Sequence, residues 1–491
     1  MPHSASSHLD LQAAAKDIMR QRGFNPDFSR EVNQQVAALR AHPPLVGAGP
    51  NVRDLRERLW SSIDNDDSRD LDQIEVAEPL SNGNTKILVG IADVDCFVPR
   101  RTAIDQHATR ETTTVYAGVR NFPMLPEPLC TDQTSLLENH DRLVMIVEFI
   151  VDPGGHVTAG DVYCAVVRNR AQLQYNSLGA WFEGTAAAPA KVAASSDLQA
   201  QLRLQSEVAQ KLKTQRHEHG ALDLQTDELL PLFSNNEVIG MAAQEKNRAT
   251  ELIEDFMIAA NGVMARRLEK VSSLRRIVRQ PKRWDRIVEL AATYGEKLPP
   301  EPDSKALNEF LVKRKAADAD HFADLSLATI KLIGPGEYVL ERPGETAPGH
   351  FGLAVQDYTH STAPNRRFAD VVTQRLIKAV LAGKPNPYSD DELSAIAANC
   401  TEKGDAARKV ERDMTKRLAA VAMQNRIGAT FDAIVTGVTS HGTFVRAQQA
   451  HVEGLLAQGG EGLDVGDKLR VKLIRTDVQH GFIDFARVNA G

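Results

Sequence analysis

The sequence predicts an α/β (α+β) chain in three parts: a small helical module, a large mixed central domain and a C-terminal five-stranded β-barrel of the OB type. Three observations predict it. Apolar residues recur at helical spacing over residues 11–39, switch between strand and helix periods through the long middle, and alternate over the last ~60 residues, where glycine punctuates short runs. At 491 residues, with 42% hydrophobic and 25% charged side chains, the chain has room for several cores and a globular composition. Proline and glycine between Pro43 and Pro50 mark a linker, which divides the chain into residues 1–50, 51–427 and 428–491.

In the first part, Leu11, Ala15, Ile18 and Met19 share a helical face that stops near Gly23. A second helix is expected from an Asn25 cap with Pro26 in its first position, carrying Val32, Val36 and Leu39 inward and ending before Pro43. The pair resembles a helix-turn-helix, with His8, Lys16, Arg20, Arg22 and Arg30 as candidate phosphate contacts; the alternative is a packing or protein-contact module.

The central part opens with short strands, among them KILVGIADVDCFV (86–98) and RLVMIVEFIVD (142–152), the latter followed by a Pro153-Gly154-Gly155 turn. EGTAAAPAKVAASSD is expected as an exposed loop, and long helices follow at about 198–218 and in ATELIEDFMIAANGVMARRLEK. The stretch LRRIVRQPKRW (274–284) joins five cations to Trp284, as a nucleic-acid contact or as a solvated loop.

In the last part the motifs G-x-x-F-x-A-x-V, H-G-x-F-V, V-E-G-L-L and V-G-D-K-L-R-V-K-L resemble an S1-type RNA-binding domain. Phe431, His441 and Phe444 are the candidates for stacking on bases, with a core position as the alternative for either phenylalanine.

Composition excludes several classes. No run approaches a membrane span, and MPHSASSHLD lacks the apolar stretch of a signal peptide, so a cytoplasmic protein without membrane partners is expected. Cys96, Cys130, Cys164 and Cys400 form no CxxC pair, which argues against a zinc site or a disulfide framework. The net charge of -7 gives no overall basic footprint, although phosphate affinity depends on local arginine and lysine groups.

Two clusters carry chemistry. SSIDNDDSRDLDQ (61–73) gathers five aspartates, which make either a solvated acidic turn or a site for a hard divalent cation. Asp70 and Asp72, two apart, project to one side of an extended segment, and Asp64 returns across a turn. Further on, Phe368, Val371, Val372, Leu376, Ile377 and Val380 fall at helical spacing after Pro364, placing Arg366 and Arg367 in the first turn. Two cations suit that end if an anion is bound there; otherwise they are surface charges or partners of Asp370.

Together these pieces resemble the ribonuclease II (RNB) family of 3′-to-5′ exoribonucleases. The likeness runs from about residue 55 to the C-terminus through VGIADVDCFV, TTTVYAGVRNFPMLP, GALDL, ELIEDFMIAAN, HFGLAVQDYTHSTAPNRRFAD and VERDM, in family order. It implies an RNB catalytic fold, one or two Mg²⁺ ions, and a monomer that degrades single-stranded RNA from a free 3′ end to nucleoside 5′-monophosphates. It also implies that Asp64, Asp70 and Asp72 hold Mg²⁺ and orient the attacking water, and that Arg366 contacts the scissile phosphate with Arg367 beside it. Tyr116 would stack on the 3′-terminal base, and Glu411 would lie near the end of the RNA channel.

Two departures qualify the likeness. Gln73 stands where the family has its fourth aspartate, leaving an amide oxygen as a weaker metal ligand. Asp66 and Asp67 are candidates to compensate, and the alternative is a catalytically weakened RNB-fold RNA-binding protein. The family usually carries two cold-shock domains ahead of the catalytic domain; residues 1–50 leave no room for them, so the RNA entry path and the handling of structured RNA are expected to differ.

Overall fold

The computed structural model describes residues 10–47, 51–225, 228–234, 237–244, 246–319 and 321–488. His8 lies outside them. Helix α1 (Leu11–Gln21) is capped by Asp10, whose carboxylate accepts from the N–H groups of Gln12 and Ala13. Helix α2 (Arg30–Ala41) begins later than the sequence implied, at a Ser29 cap. The Asn25 N–H is instead committed to the Glu111 carboxylate, 2.9 Å away. Lys16 and Arg20 pair with Asp27, and Arg22 pairs with Asp413, so three of the candidate phosphate contacts are already neutralised.

The centre is a six-stranded sheet in the order β1-β8-β2-β3-β4-β7. Its strands are β1 (Val52–Asp54), β2 (Trp60–Asp64), β3 (Gln73–Pro79), β4 (Thr85–Ala92), β7 (Asp141–Val151) and β8 (Val157–Gln174). The 18-residue β8 pairs parallel with β1 and β2 and antiparallel with β7, so it closes the sheet back on itself. Both faces are covered. Ile87, Val89 and Ile91 point into a core with Met145, Val147 and Phe256, while Leu88, Val144 and Ile146 meet Trp60 and Leu71 on the other side. Helix α3 (Ala103–Glu111) and the short hairpin β5 (Val115–Tyr116) and β6 (Asn121–Phe122) lie between β4 and β7 in the chain.

Helices α4 (Tyr175–Phe182), α5 (Ala190–Ala193) and α6 (Ser196–Glu218) follow, so the alanine-rich stretch expected as a loop contains a helical turn with Val192 buried. The hairpin β9 (Glu228–Ser234) and β10 (Glu237–Gln244) precedes α7 (Arg248–Arg267), which opens with an Asn247/Thr250 capping box. Strand β11 (Ser273–Ile277) pairs with β12 (Glu337–Glu341) around α8 (Trp284–Thr293), α9 (Ser304–Ala317) and α10 (Phe322–Ile333). LRRIVRQPKRW is therefore a solvated loop only in its middle, where Arg279, Lys282 and Arg283 are exposed. Arg275 is buried against Glu341, and Trp284 is a core residue whose indole donates to the Pro299 carbonyl.

Helix α11 (Phe368–Leu381) leads to α12 (Asp390–Gln424), a 35-residue spine that touches α1, β5, the β9-β10 hairpin and the C-terminal barrel. The barrel closes through β13 (Thr430–Thr439), β14 (Gly442–Ala447), β15 (Val452–Gln458), β17 (Phe482–Arg487) and β16 (Lys468–Asp477), in that order. An Arg446–Asp324 ion pair of 2.5 Å ties it to α10.

Candidate active site

The acidic segment forms where β2 ends and β3 begins. Asp64 closes β2 opposite Gln174, and its carboxylate accepts from the Asn65 N–H and the Ser68 hydroxyl, both at 2.8 Å. These bonds shape the turn that returns the chain to Asp70 and Asp72. Asp72 is 2% exposed. One of its oxygens accepts from the Asn365 N–H at 3.0 Å, and the other lies 3.3 Å from Arg366 Nε. Residues 293 positions apart in sequence are thus joined at one point.

The segment bearing Arg366 is fixed from both sides. Asp370 is fully buried; it accepts from the Ala363 N–H and binds the Arg367 guanidinium through two bonds of 2.7 and 2.9 Å. Arg367 therefore takes the pairing with Asp370 that its spacing allowed. Thr112 ends α3 in the left-handed region at φ 59°, its carbonyl accepts from Phe368, and the Thr114 N–H donates to the Arg366 carbonyl. Tyr116 thereby stands beside Arg366, 41% exposed, and its backbone N–H donates to Glu411 at 3.1 Å. Gly118 makes this hairpin possible: its φ is +77°, and a Cβ there would come within 2.6 Å of Leu418 on α12.

A cavity of about 250 Å³ opens at this point, lined among others by Tyr116, Arg276, Tyr338, His360, Arg366 and Glu411. The Arg276 guanidinium lies 4.9 Å from the centre of the Tyr338 ring, and the Tyr338 hydroxyl is 2.7 Å from His360 Nδ1. Burial, with Arg367 and Arg276 nearby, holds His360 well below the usual imidazole range, so the ring is neutral.

Electrostatics set the carboxylates apart. Burial, reinforced by Asp70 and Asp370, pushes Asp72 up to about 7 even though Arg366 opposes it. Burial and the charges of Asp64 and Asp67 also raise Asp70. Desolvation lifts the Tyr116 phenol to about 12. For Arg366 burial acts downward, yet Tyr116, Asp72, Asp64 and Asp70 outweigh it and strengthen the cation.

Does this acidic set suit a divalent cation? Among the described residues no three His, Cys, Asp or Glu side chains close into a cage. A hard cation that keeps several waters and takes one or two carboxylates needs no such cage. The mutual repulsion among Asp64, Asp67, Asp70 and Asp72 is the kind that a cation offsets, so the donor set fits. Gln73 is 4% exposed, and its amide nitrogen faces the Ile63 carbonyl at 3.5 Å.

Residues 52–383 match the RNB domain, and residues 429–488 match the RNase II-type exonuclease C-terminal S1 domain. The chain belongs to the RNB family. It is 28% identical to Ribonuclease R of Thermotoga maritima over 96% of the chain and 69% of that relative, and 28% identical to Ribonuclease R 1 of Lactococcus lactis over 96% and 60%. It thus spans 60–69% of the length of these RNB relatives. Its fold follows that of Mycoplasma genitalium RNase R solved with ribose-methylated single-stranded RNA, with a TM-score of 0.85 at 21% identity over 98% of this chain and 78% of that one.

On the S1 barrel of this RNB chain the aromatic candidates divide. Phe431 is 2% exposed; it alternates inward with Ala433 and Val435 and packs edge-on against Phe485, so it is core and not a stacking platform. His441 is exposed, and Phe444 is half-buried on the outer side of β14. Phe482, which no sequence motif singled out, is 57% exposed and stacks on His480. Cross-strand pairing of Phe444 with Leu455, and of Leu455 with Asp484 two residues from Phe482, puts both phenylalanines on one outer face. Arg276, Tyr338 and His360 are likewise unmarked in the sequence, apart from the basic run around Arg276.

Proposed function

We propose that this RNB-family chain acts as a monomeric 3′-to-5′ exoribonuclease that binds single-stranded RNA and releases nucleoside 5′-monophosphates with the help of Mg²⁺. The observation that carries the reading is the joining of buried Asp72 to half-exposed Arg366 beside the acidic turn and the exposed face of Tyr116. Asp64, Asp70 and Asp72 would hold the cation, with Gln73 as a neutral donor. When bound, that cation supplies charge neutralisation and a more acidic water.

The chain's own groups do the rest. Asp72 accepts from the Asn365 N–H and is ion-paired with Arg366 at Nε, which holds the guanidinium, itself bonded to the Tyr116 side chain, where its other N–H groups would donate to phosphate oxygens. Tyr116 and Glu411, joined through the Tyr116 N–H, form the stop against which the last base rests, so that cleavage falls one phosphate from the end. Neutral His360 and the Arg276–Tyr338 pair offer hydrogen bonds and positive charge to the terminal nucleotide without adding a carboxylate.

Single-stranded RNA carrying a 3′ or a 5′ label separates the outcomes. Wild type with Mg²⁺ is expected to release labelled mononucleotide from the 3′ end at once and to shorten the 5′-labelled strand progressively; EDTA or Asp72→Asn abolishes both. Internal cuts, or release unaffected by EDTA, overturn the proposal. Gln73 favours one alternative, an RNA-binding protein with a weakened metal site, for which wild type and Asp72→Asn bind alike and neither releases mononucleotide.

A further inference from the structure

We propose that Glu75 supplies the carboxylate that position 73 lacks, acting as the inward counter-charge of a divalent cation bound at Asp64. The inference rests on the reading of the acidic turn as a cation site. Residues two apart in a strand share a face, so Glu75 lies directly behind Gln73 on β3. The register is fixed on both sides, with Glu75 opposite Val89 on β4 and opposite Ser61 on β2, three residues before Asp64.

Glu75 is fully buried, and neither carboxylate oxygen has a hydrogen-bond partner; the buried Ser61 hydroxyl opposite it has none either. Leucine or valine would fill such a place at no electrostatic cost, and a buried carboxylate without a partner is among the least favourable groups a sheet can hold. The charge that acts on it is Asp64. Tyr175, which follows the register partner of Asp64, also feels both Asp64 and Glu75. Two acids thus bear on one place, and Arg366, the cation that acts on Tyr175 along with them, is already joined to Asp72.

The pattern makes sense as a relocated charge. Gln73 removes a carboxylate at the rim of the strand, and Glu75 returns one two residues deeper on a side chain one methylene longer. Glu75 is then a metal-site residue that sets cation affinity; it does not touch the reacting phosphate.

Mn²⁺ binding to the full chain tests this, with free Mn²⁺ read by electron paramagnetic resonance and heat of binding by calorimetry. Glu75→Gln is expected to weaken Mn²⁺ at least tenfold, and Gln73→Asp in the same chain to restore it. Thermal unfolding adds a second readout: Glu75→Gln melts higher than wild type without metal and gains less on adding Mn²⁺. Unchanged Mn²⁺ affinity in Glu75→Gln overturns the proposal. Should Glu75→Gln fail to fold, Gln73→Asp alone decides. A gain of less than about threefold supports a site already compensated, and a larger gain shows that Glu75 had supplied nothing. If wild type itself binds no Mn²⁺, the cation reading fails first, whatever Glu75 does.

Discussion

The acidic centre and the outer face of the barrel, the two surfaces the proposal gives to RNA, are built on opposite physics. At the centre charge is buried: Asp72, 2% exposed, is pushed up to about 7 by burial and is tied to Arg366, while Asp370 immobilises the neighbouring arginine. On the barrel the groups are aromatic, open and independent, with Phe482 stacked only on its neighbour His480. Buried charge responds to single changes sharply and to pH strongly. Exposed stacking responds in small, additive steps.

The largest effect is therefore expected at Arg366. Arg366→Ala removes donors aimed at a developing phosphate charge, and turnover at saturating RNA should fall about 10²–10³-fold with a far smaller change in affinity. A rapid-quench assay of mononucleotide release checks it. A loss confined to affinity would place Arg366 with the barrel, and the contrast between the regions would disappear.

Next comes pH. Because burial raises Asp72 to about 7, the folded metal-free protein binds a proton there that the unfolded chain has released above its ordinary carboxylate range. The contribution of Asp72 to stability is thus highest below about pH 4 and declines as pH climbs to about 7, the opposite of a salt-bridged surface acid. Urea unfolding of metal-free wild type and Asp72→Asn should show the variant gaining relative stability across that window. Parallel curves would mean that Asp72 is not held in a desolvated state.

How much of this was legible in the sequence depends on where periodicity and burial agree. The acidic turn lay within a dozen residues, and the arginines were marked by the helix that Phe368 begins, so both halves of the site were visible although their meeting was not. Glu75 was hidden by its own pattern. In QIEV polar and apolar residues alternate, which normally signals a strand with one wet face. Here both faces of β3 are covered, and the polar face is buried as deeply as the apolar one. Phe431 and Phe444 are the same residue type in the same barrel, and only the strand register distinguishes inside from outside. The cavity wall at Arg276 joins strands and loops from distant parts of the chain, which no local pattern encodes.

Smaller effects follow on the barrel. Phe444→Ala and Phe482→Ala should each weaken single-stranded RNA binding about tenfold, in keeping with ~1–3 kcal/mol per stacked base, and leave turnover at saturation unchanged. Fluorescence anisotropy with a short oligonucleotide measures this. Phe431→Ala should instead lower the melting temperature of the barrel, since its ring fills the core beside Phe485. If all three variants behave alike, the division between inner and outer phenylalanines carries no functional meaning.

The smallest effect is expected from the N-terminal helices, whose cations looked in sequence like a phosphate-binding set. Lys16 and Arg20 share Asp27, and Arg22 reaches Asp413 on α12, so these three side chains present little unpaired positive charge to a backbone. Its apolar side meets the Tyr116–Glu411 pair: Ile18, Met19 and Phe24 pack with Val115 and Ala117, which flank Tyr116, and with Val410, beside Glu411. Replacing Lys16, Arg20 and Arg22 together by glutamine should change RNA affinity less than about twofold, because exposed ion pairs of this kind contribute little and release few counterions. The slope of log affinity against log salt is the sensitive readout. A module that only braces the Tyr116–Glu411 pair leaves that slope unaltered, whereas every cation that had neutralised a phosphate of the single strand would, on replacement, lower its magnitude by ~0.7.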